Sequence, residues 1–266
     1  MYGAIIGDIV GSPYEFLKGF KTNDFDLFNK HVRYTDDTVT TVAVADALIN
    51  ISTNISDDDI KKEVIKKLRY WGNKYPFAKY GQKFILWLGS KNPKPYASFG
   101  NGSAMRVSSV GWLFNTLEQT NHVAKLTAEI THNHEEGIKG AQAIASSIFL
   151  LRNGATKKEL RDYIETTFNY NLSRTLAEIR PSYLHKESCQ ESVPEDIISF
   201  LEGFSYEDVI RNAISLGGDS DTLACMGGSI AESFYEIPES FKVEVNKIIP
   251  KDMQEVINKF YNIINL

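Results

Sequence analysis

Apolar residues recur along this chain at helical intervals, not in alternation. Ile60, Val64, Leu68 and Trp71 are spaced four, four and three apart with Lys and Arg between them, which predicts a helix with one buried face. The same logic predicts amphipathic helices over Lys157–Phe168, Tyr206–Leu216, Phe241–Ile249 and Asp252–Ile263. Pro238 and Pro250 stand where the last two should begin, a place that suits proline because an N–H there has no helical partner to lose. Thr38–Ile49 is different: Val, Ala and Leu surround the single charge of Asp46, so this helix is predicted to cross the core. Glu136–Leu151 is similar, with Gly137, Gly140, Ala141 and Ala145 supplying a small-residue face for close helix contact. Gly3, Gly7 and Gly11, four apart, give a first helix the same kind of face. Alternation nowhere runs beyond a few positions, so strands are not predicted. Irregular segments remain at Lys18–Arg33, Lys91–Gly102 and Pro181–Pro194, and no repeat or low-complexity tract marks a linker. The expected architecture is all-α, a single compact multi-helix domain over residues 1–266.

Composition bears on function more than on fold. With 42% hydrophobic and 24% charged residues, the chain has ample material for a large core and a solvated surface. A net charge of -5 gives no basic patch for nucleic acid, so no nucleic-acid partner is expected. No window nears the roughly 18 unbroken apolar residues of a membrane span. The apolar start, Met1–Leu17, has no basic lead and is interrupted by Asp8 and Glu15, which argues against a signal peptide. Cys189 and Cys225 form no CxxC unit, so neither a disulfide framework nor a zinc site is indicated. A cytoplasmic, monomeric protein is the expectation.

Five local clusters carry candidate chemistry. Tyr34-Thr35-Asp36-Asp37-Thr38 precedes the core-crossing helix. It reads either as an N-cap or, since one cap suffices, as an oxygen-only ligand set for magnesium or calcium. Gly217-Gly218-Asp219-Ser220-Asp221-Thr222 leads into a small-residue helix (Leu223–Ser233) and has the same two readings, with glycines that allow close approach. If the two clusters face one another, each like-charge pair at about 4 Å costs about 4 kcal/mol at an effective dielectric near 20. Two divalent cations would cancel that charge. Glu15, after the glycine-spaced first helix, reads as an ordinary carboxylate or as a general acid/base. Ser98-Phe99-Gly100-Asn101-Gly102-Ser103-Ala104-Met105-Arg106 is a glycine-bearing loop entering a helix, able to offer N–H groups to a phosphate but lacking a P-loop ending. Thr131-His132-Asn133-His134 reads as a polar loop between helices before it reads as a metal site.

In this order and spacing the clusters resemble the ADP-ribosylglycohydrolase family, which includes the enzyme that reactivates dinitrogenase reductase and the animal ADP-ribosyl-acceptor hydrolases. The likeness runs from Gly3-Ala4-Ile5-Ile6-Gly7-Asp8 to Gly228-Ser229-Ile230-Ala231-Glu232, and Ser188–Pro194 also matches a family stretch. The resemblance implies the family's orthogonal all-α fold and a centre of two Mg2+ ions. Thr35, Asp36 and Asp37 would be ligands from one side; Asp219, Asp221 and Thr222 from the other. It further implies that Glu15, Asp36 and Asp37 act in catalysis. Ser98, Phe99, Gly100, Asn101 and Gly102 would hold the diphosphate and distal ribose, and His132 would line the cleft. The implied substrate is an ADP-ribosylated protein or a small ADP-ribose conjugate, cleaved at its glycosidic bond. The alternative is a non-catalytic ADP-ribose-binding or crystallin-like protein, although every acidic position is present. An all-α isoprenoid synthase fits less well, because Asp-Asp-x-x-Asp would need an acid at Thr40.

Overall fold

A computed structural model describes residues 1–17, 19–51 and 55–264. Fifteen helices are described: α1 Tyr2–Gly11, α2 Asp36–Leu48, α3 Asp57–Lys74, α4 Gln82–Gly89, α5 Gly102–Met105, α6 Ser108–Leu113, α7 Leu117–Glu129 and α8 Glu135–Arg152. They continue with α9 Lys157–Phe168, α10 Leu176–Ile179, α11 Cys189–Glu202, α12 Tyr206–Ser215, α13 Ser220–Ala231, α14 Glu239–Ile248 and α15 Lys251–Ile264. Among the described residues, β-structure amounts to one isolated antiparallel bridge, Gly100 to Ser188. The all-α expectation holds.

Side-chain caps fix many of the helix starts. Ser56, Thr116, Thr156 and Ser205 each accept a hydrogen bond from the backbone N–H three residues on, satisfying a donor that the first turn would leave free. The two prolines anticipated at helix starts immediately precede α14 and α15. Among the helices that fall where the sequence pattern assigned nothing are α4, α7 and α6. In α4 the apolar run includes exposed Ile85 and Leu86, so no stripe stands out. In α7 the buried face uses Thr120, Ala124, Thr127 and Ala128, which read as polar or neutral. The third, α6, is only six residues long. The irregular segment expected over Pro181–Pro194 ends early, because α11 begins at Cys189 and carries Pro194 inside it. A proline there forfeits one bond to the carbonyl of Gln190, a solvent-exposed residue, which makes the loss tolerable. Of the segment expected over Lys18–Arg33, Lys18 itself lies outside the described residues; the rest is irregular.

The central contact is between α1 and α13. A Cβ on Gly7 would lie 1.9 Å from the carbonyl oxygen of Ala224, and one on Gly3 would lie 2.2 Å from that of Gly228. Backbone therefore meets backbone along the whole crossing. Around this pair α2 is buried on nearly every face, as its composition predicted, and packs against α1, α3 and α15. The arrangement brings the starts of α2 and α13 to one end of the core. Gly7→Val is expected to destabilise the protein by about 3 kcal/mol or more, because neither helix backbone can yield to the added carbons. Chemical denaturation would show it as a lowered midpoint or as failure to fold.

Candidate active site

Asp8 organises the site from inside α1. It is fully buried, and its Oδ2 accepts the backbone N–H groups of Thr35 (2.9 Å) and Thr38 (3.0 Å) together with the Thr38 hydroxyl. Its Oδ1 accepts the Thr35 hydroxyl at 2.7 Å. A carboxylate of one helix thus caps the N-terminus of another, where the α2 dipole favours negative charge. This residue was missed as a site residue. The available signal was a charge in the middle of an apolar run.

Asp36 and Asp37 occupy the first turn of α2. Asp219 is the N-cap of α13, yet its side chain makes no capping bond; its Oδ2 accepts instead from the Asn101 amide at 2.7 Å. Thr222 donates its hydroxyl to Asp37 Oδ2 at 3.2 Å, so the two acidic motifs meet directly. One oxygen each from Asp8, Asp37 and Asp221 lies within 4.8 Å of the others, and the same is true of Glu15, Asp219 and Asp221. Burial pushes the carboxyls of Asp36, Asp37 and Asp221 well above the usual carboxylate range, and the charges of neighbouring acids add to the shift. Asp219 is pushed up to about 6, again mainly by burial. Asp37 Oδ1 is buried with no hydrogen-bond partner among the described residues. An all-oxygen donor set with an orphaned acceptor fits a hard divalent cation.

The glycine loop lies across a cleft of about 760 Å³ lined by Glu15, Asp36, Asp37, Asp219, Asp221, Thr222, Ser98–Gly102 and His132 among others. Of the thirteen site residues expected from sequence, only Thr35 is not on the cleft lining. It sits behind the lining, 1% exposed, and its Oγ1 is 3.3 Å from Asp37 Oδ2. The loop is stitched to the segment before α11: Asn101 N–H donates to the Glu187 carbonyl at 2.7 Å, and Cys189 N–H to that of Phe99 at 2.9 Å. Gly100 N–H is held by the Ser98 hydroxyl at 3.1 Å. Two of the N–H groups expected to be free for a phosphate are therefore committed within the protein. The amide of Asn101 is likewise turned to Asp219. Phe99 is 48% exposed, its ring edge-on to His134.

His132 is buried against the glycines: a Cβ on Gly102 would lie 3.1 Å from its Nε2. Burial and the nearby Arg106 charge hold its pKa well below the usual histidine value, so the ring is neutral. Its Nδ1 lies 2.7 Å from the Thr131 hydroxyl, whose oxygen accepts from Arg106 Nη2 at 2.7 Å. His134, in contrast, caps α8 by accepting Glu136 N–H.

An all-α body with a cleft ending in buried paired carboxylates matches a known class. The sequence profile of the ADP-ribosylglycohydrolase family matches residues 1–265, and the chain belongs to that family. It is similar to the human ADP-ribosylhydrolase ARH3, at 24% identity over 97% of this chain and 92% of that protein. It is also similar to the ADP-ribosylarginine hydrolase Tri1 of Pseudomonas putida (22% identity; 97% and 77% covered) and to the uncharacterized protein YegU of Escherichia coli (25%; 93% and 91%). A solved structure described as an ADP-ribosylglycohydrolase-related protein complex superposes with a TM-score of 0.71, at 18% identity over 98% of this chain and 95% of that one. Among the described residues no helix is long and apolar enough to cross a membrane.

The raised carboxyl pKa values carry a sign. A buried acid with its folded pKa above its unfolded value stabilises fully below the unfolded value, and that contribution is lost as pH rises through the folded one. For Asp219 the window runs from about 3.8 to about 6 and is worth on the order of 3 kcal/mol. In excess chelator, thermal stability is expected to fall across this window, and in Asp219→Asn to fall less. A divalent cation such as magnesium, if it occupies this site in the folded state alone, is expected to restore stability at neutral pH. A melting temperature indifferent to magnesium from pH 4 to 8 would contradict the cation site.

Proposed function

We propose that this protein is a magnesium-dependent hydrolase that cleaves the glycosidic bond between ADP-ribose and an acceptor. The carrying observation is that Asp36, Asp37, Asp219 and Asp221, from two distant motifs, line one cleft together with Glu15. Family membership supports ADP-ribosyl hydrolysis as the class of reaction. The residues that would hold two divalent cations are Thr35, Asp36 and Asp37 on one side and Asp219, Asp221 and Thr222 on the other. Bound there, the cations would neutralise the acids and act as Lewis acids toward the sugar hydroxyls.

The chain's own groups divide the remaining work. Glycosidic cleavage passes through an oxocarbenium-like transition state, and carboxylates close to the anomeric carbon stabilise its positive charge. Glu15 is half-buried in the turn after α1, with its carboxylate directed toward Lys79. Glu15 or one of the metal-binding aspartates would move the proton at the scissile atom. The glycine loop and neutral His132 hold the distal part of the ligand, and Phe99 offers an exposed ring for stacking. The free, buried state of both cysteines is compatible with a cytoplasmic setting.

Asp36→Ala and Asp219→Ala are each expected to reduce release of free ADP-ribose from a modified protein by at least a hundredfold while the helical circular-dichroism spectrum is retained. Glu15→Gln is expected to lower kcat far more than it weakens ligand binding, because its contribution belongs to the transition state. Full turnover in excess chelator, or in either aspartate variant, would overturn the reading in favour of a non-catalytic ADP-ribose-binding protein.

A further inference from the structure

The end of the cleft that holds Glu15 already contains a cation. Lys79 Nζ lies 2.7 Å from Glu15 Oε2 and 5.1 Å from the centre of the Phe16 ring, so the ammonium is held between a carboxylate and an aromatic face. The backbone beneath it is fixed. Lys79 adopts a left-handed φ of 68°, an arrangement that costs a β-carbon residue energy and persists only where the surroundings impose it. Its neighbours Ala78 and Tyr80 are both buried, and the Tyr80 hydroxyl donates to the Tyr75 carbonyl at 3.1 Å. The Lys79 side chain itself is only one-third exposed. Lys83, at the start of α4, lines the same cleft. Lys79 is thus a solvent-reached residue whose ammonium is nonetheless held in place at the cleft by Glu15 and Phe16.

Resting on the hydrolase reading above, we propose that Lys79 determines acceptor preference: it selects uncharged, oxygen-linked acceptors and disfavours the guanidinium of an arginine linkage. Glu15 shares a 4.8 Å cluster with Asp219 and Asp221, so a glycosidic bond cleaved at these acids would have its acceptor leave next to Glu15 and the ammonium paired with it. In hydrolysis the carbon–acceptor bond breaks, water gives its hydroxyl to the carbon, and a proton goes to the acceptor. An acceptor oxygen can take that place next to the ammonium and accept a hydrogen bond from it. An arginine acceptor would bring a second cation within a few ångströms of Lys79, well inside the screening length of the solvent, where like charges repel. It would also compete with Lys79 for the single Glu15 carboxylate.

The test compares serine-linked and arginine-linked ADP-ribosyl peptides of otherwise identical sequence, with magnesium present, in the wild type, Lys79→Met and Lys79→Glu. The wild type is expected to favour the serine linkage in kcat/KM by at least tenfold. The preference is expected to shrink in Lys79→Met and to shift toward arginine by a further tenfold or more in Lys79→Glu, a change of ratio that simple loss of structure does not produce. A wild type that cleaves the arginine linkage as fast, or a ratio that Lys79→Glu leaves unmoved, would overturn the proposal alone. Absence of cleavage of both peptides by the wild type would overturn the hydrolase reading and this proposal together. Affinity for free ADP-ribose, which has no acceptor, is measured by calorimetry alongside. If it falls in parallel with turnover, the lysine belongs to the diphosphate and the proposal fails.

Discussion

Carboxylates repel one another most where water is excluded, and this protein gathers five of them, with Glu15 beside them, at the meeting point of three helices. Left bare, such a group disfavours its own ionised form, which is why burial and neighbouring charge raise the pKa of Asp36, Asp37, Asp219 and Asp221 together. A fold that selection kept for stability alone would have no use for the arrangement. The helix dipoles of α2 and α13 offset part of the cost by presenting their positive ends to the same spot. Asp8 is compensated in another way, by four hydrogen bonds that make it a brace for α2. What remains uncompensated, chiefly the orphaned oxygen of Asp37, is the part suited to a ligand.

Holding these charges at short range requires scaffolding that does not give way. The crossing of α1 and α13 supplies it, because the absence of side chains at Gly3, Gly7 and Gly11 lets the two backbones touch. Asp8 rides on one member of that pair and Asp219 and Asp221 on the start of the other, so their separation is set by backbone contact and not by side-chain flexibility. The glycine loop is fixed in a different way. It has little regular structure of its own and is anchored by hydrogen bonds to the residues just before α11. The stretch around Ser188 and Cys189 thereby has a structural part in the site, which is to hold the loop in position.

The two ends of the cleft differ in character. Around His132 the walls are glycine, hydroxyl and a neutral imidazole, fitted to hold a ligand by shape and hydrogen bonds. Around Glu15 an ammonium and an aromatic ring stand next to the acids, so this end is the more strongly charged of the two. A long ligand lying between them would be gripped at one end and transformed at the other, the division of labour by which binding energy serves catalysis.

The sequence by itself determined the all-helical class, the core-crossing character of α2, the small-residue face of α1 and the two acidic motifs, because each of these is written in local spacing or composition. It did not disclose α7, whose buried threonines and alanines imitate a surface, nor the early start of α11, whose proline imitates a break. Nor could it tell a capping aspartate from a ligand. Asp219 occupies the cap position, and only the direction of its side chain, toward Asn101, shows that it is not spent on the cap. Tertiary structure alone decided that Asp8 is central, that the loop amides are already in use and that Lys79 faces Glu15 across 64 positions of sequence. The physical reason is common to all three. A hydrogen bond or ion pair between distant residues leaves no periodicity in the chain, and becomes visible only when packing brings the partners within a few ångströms.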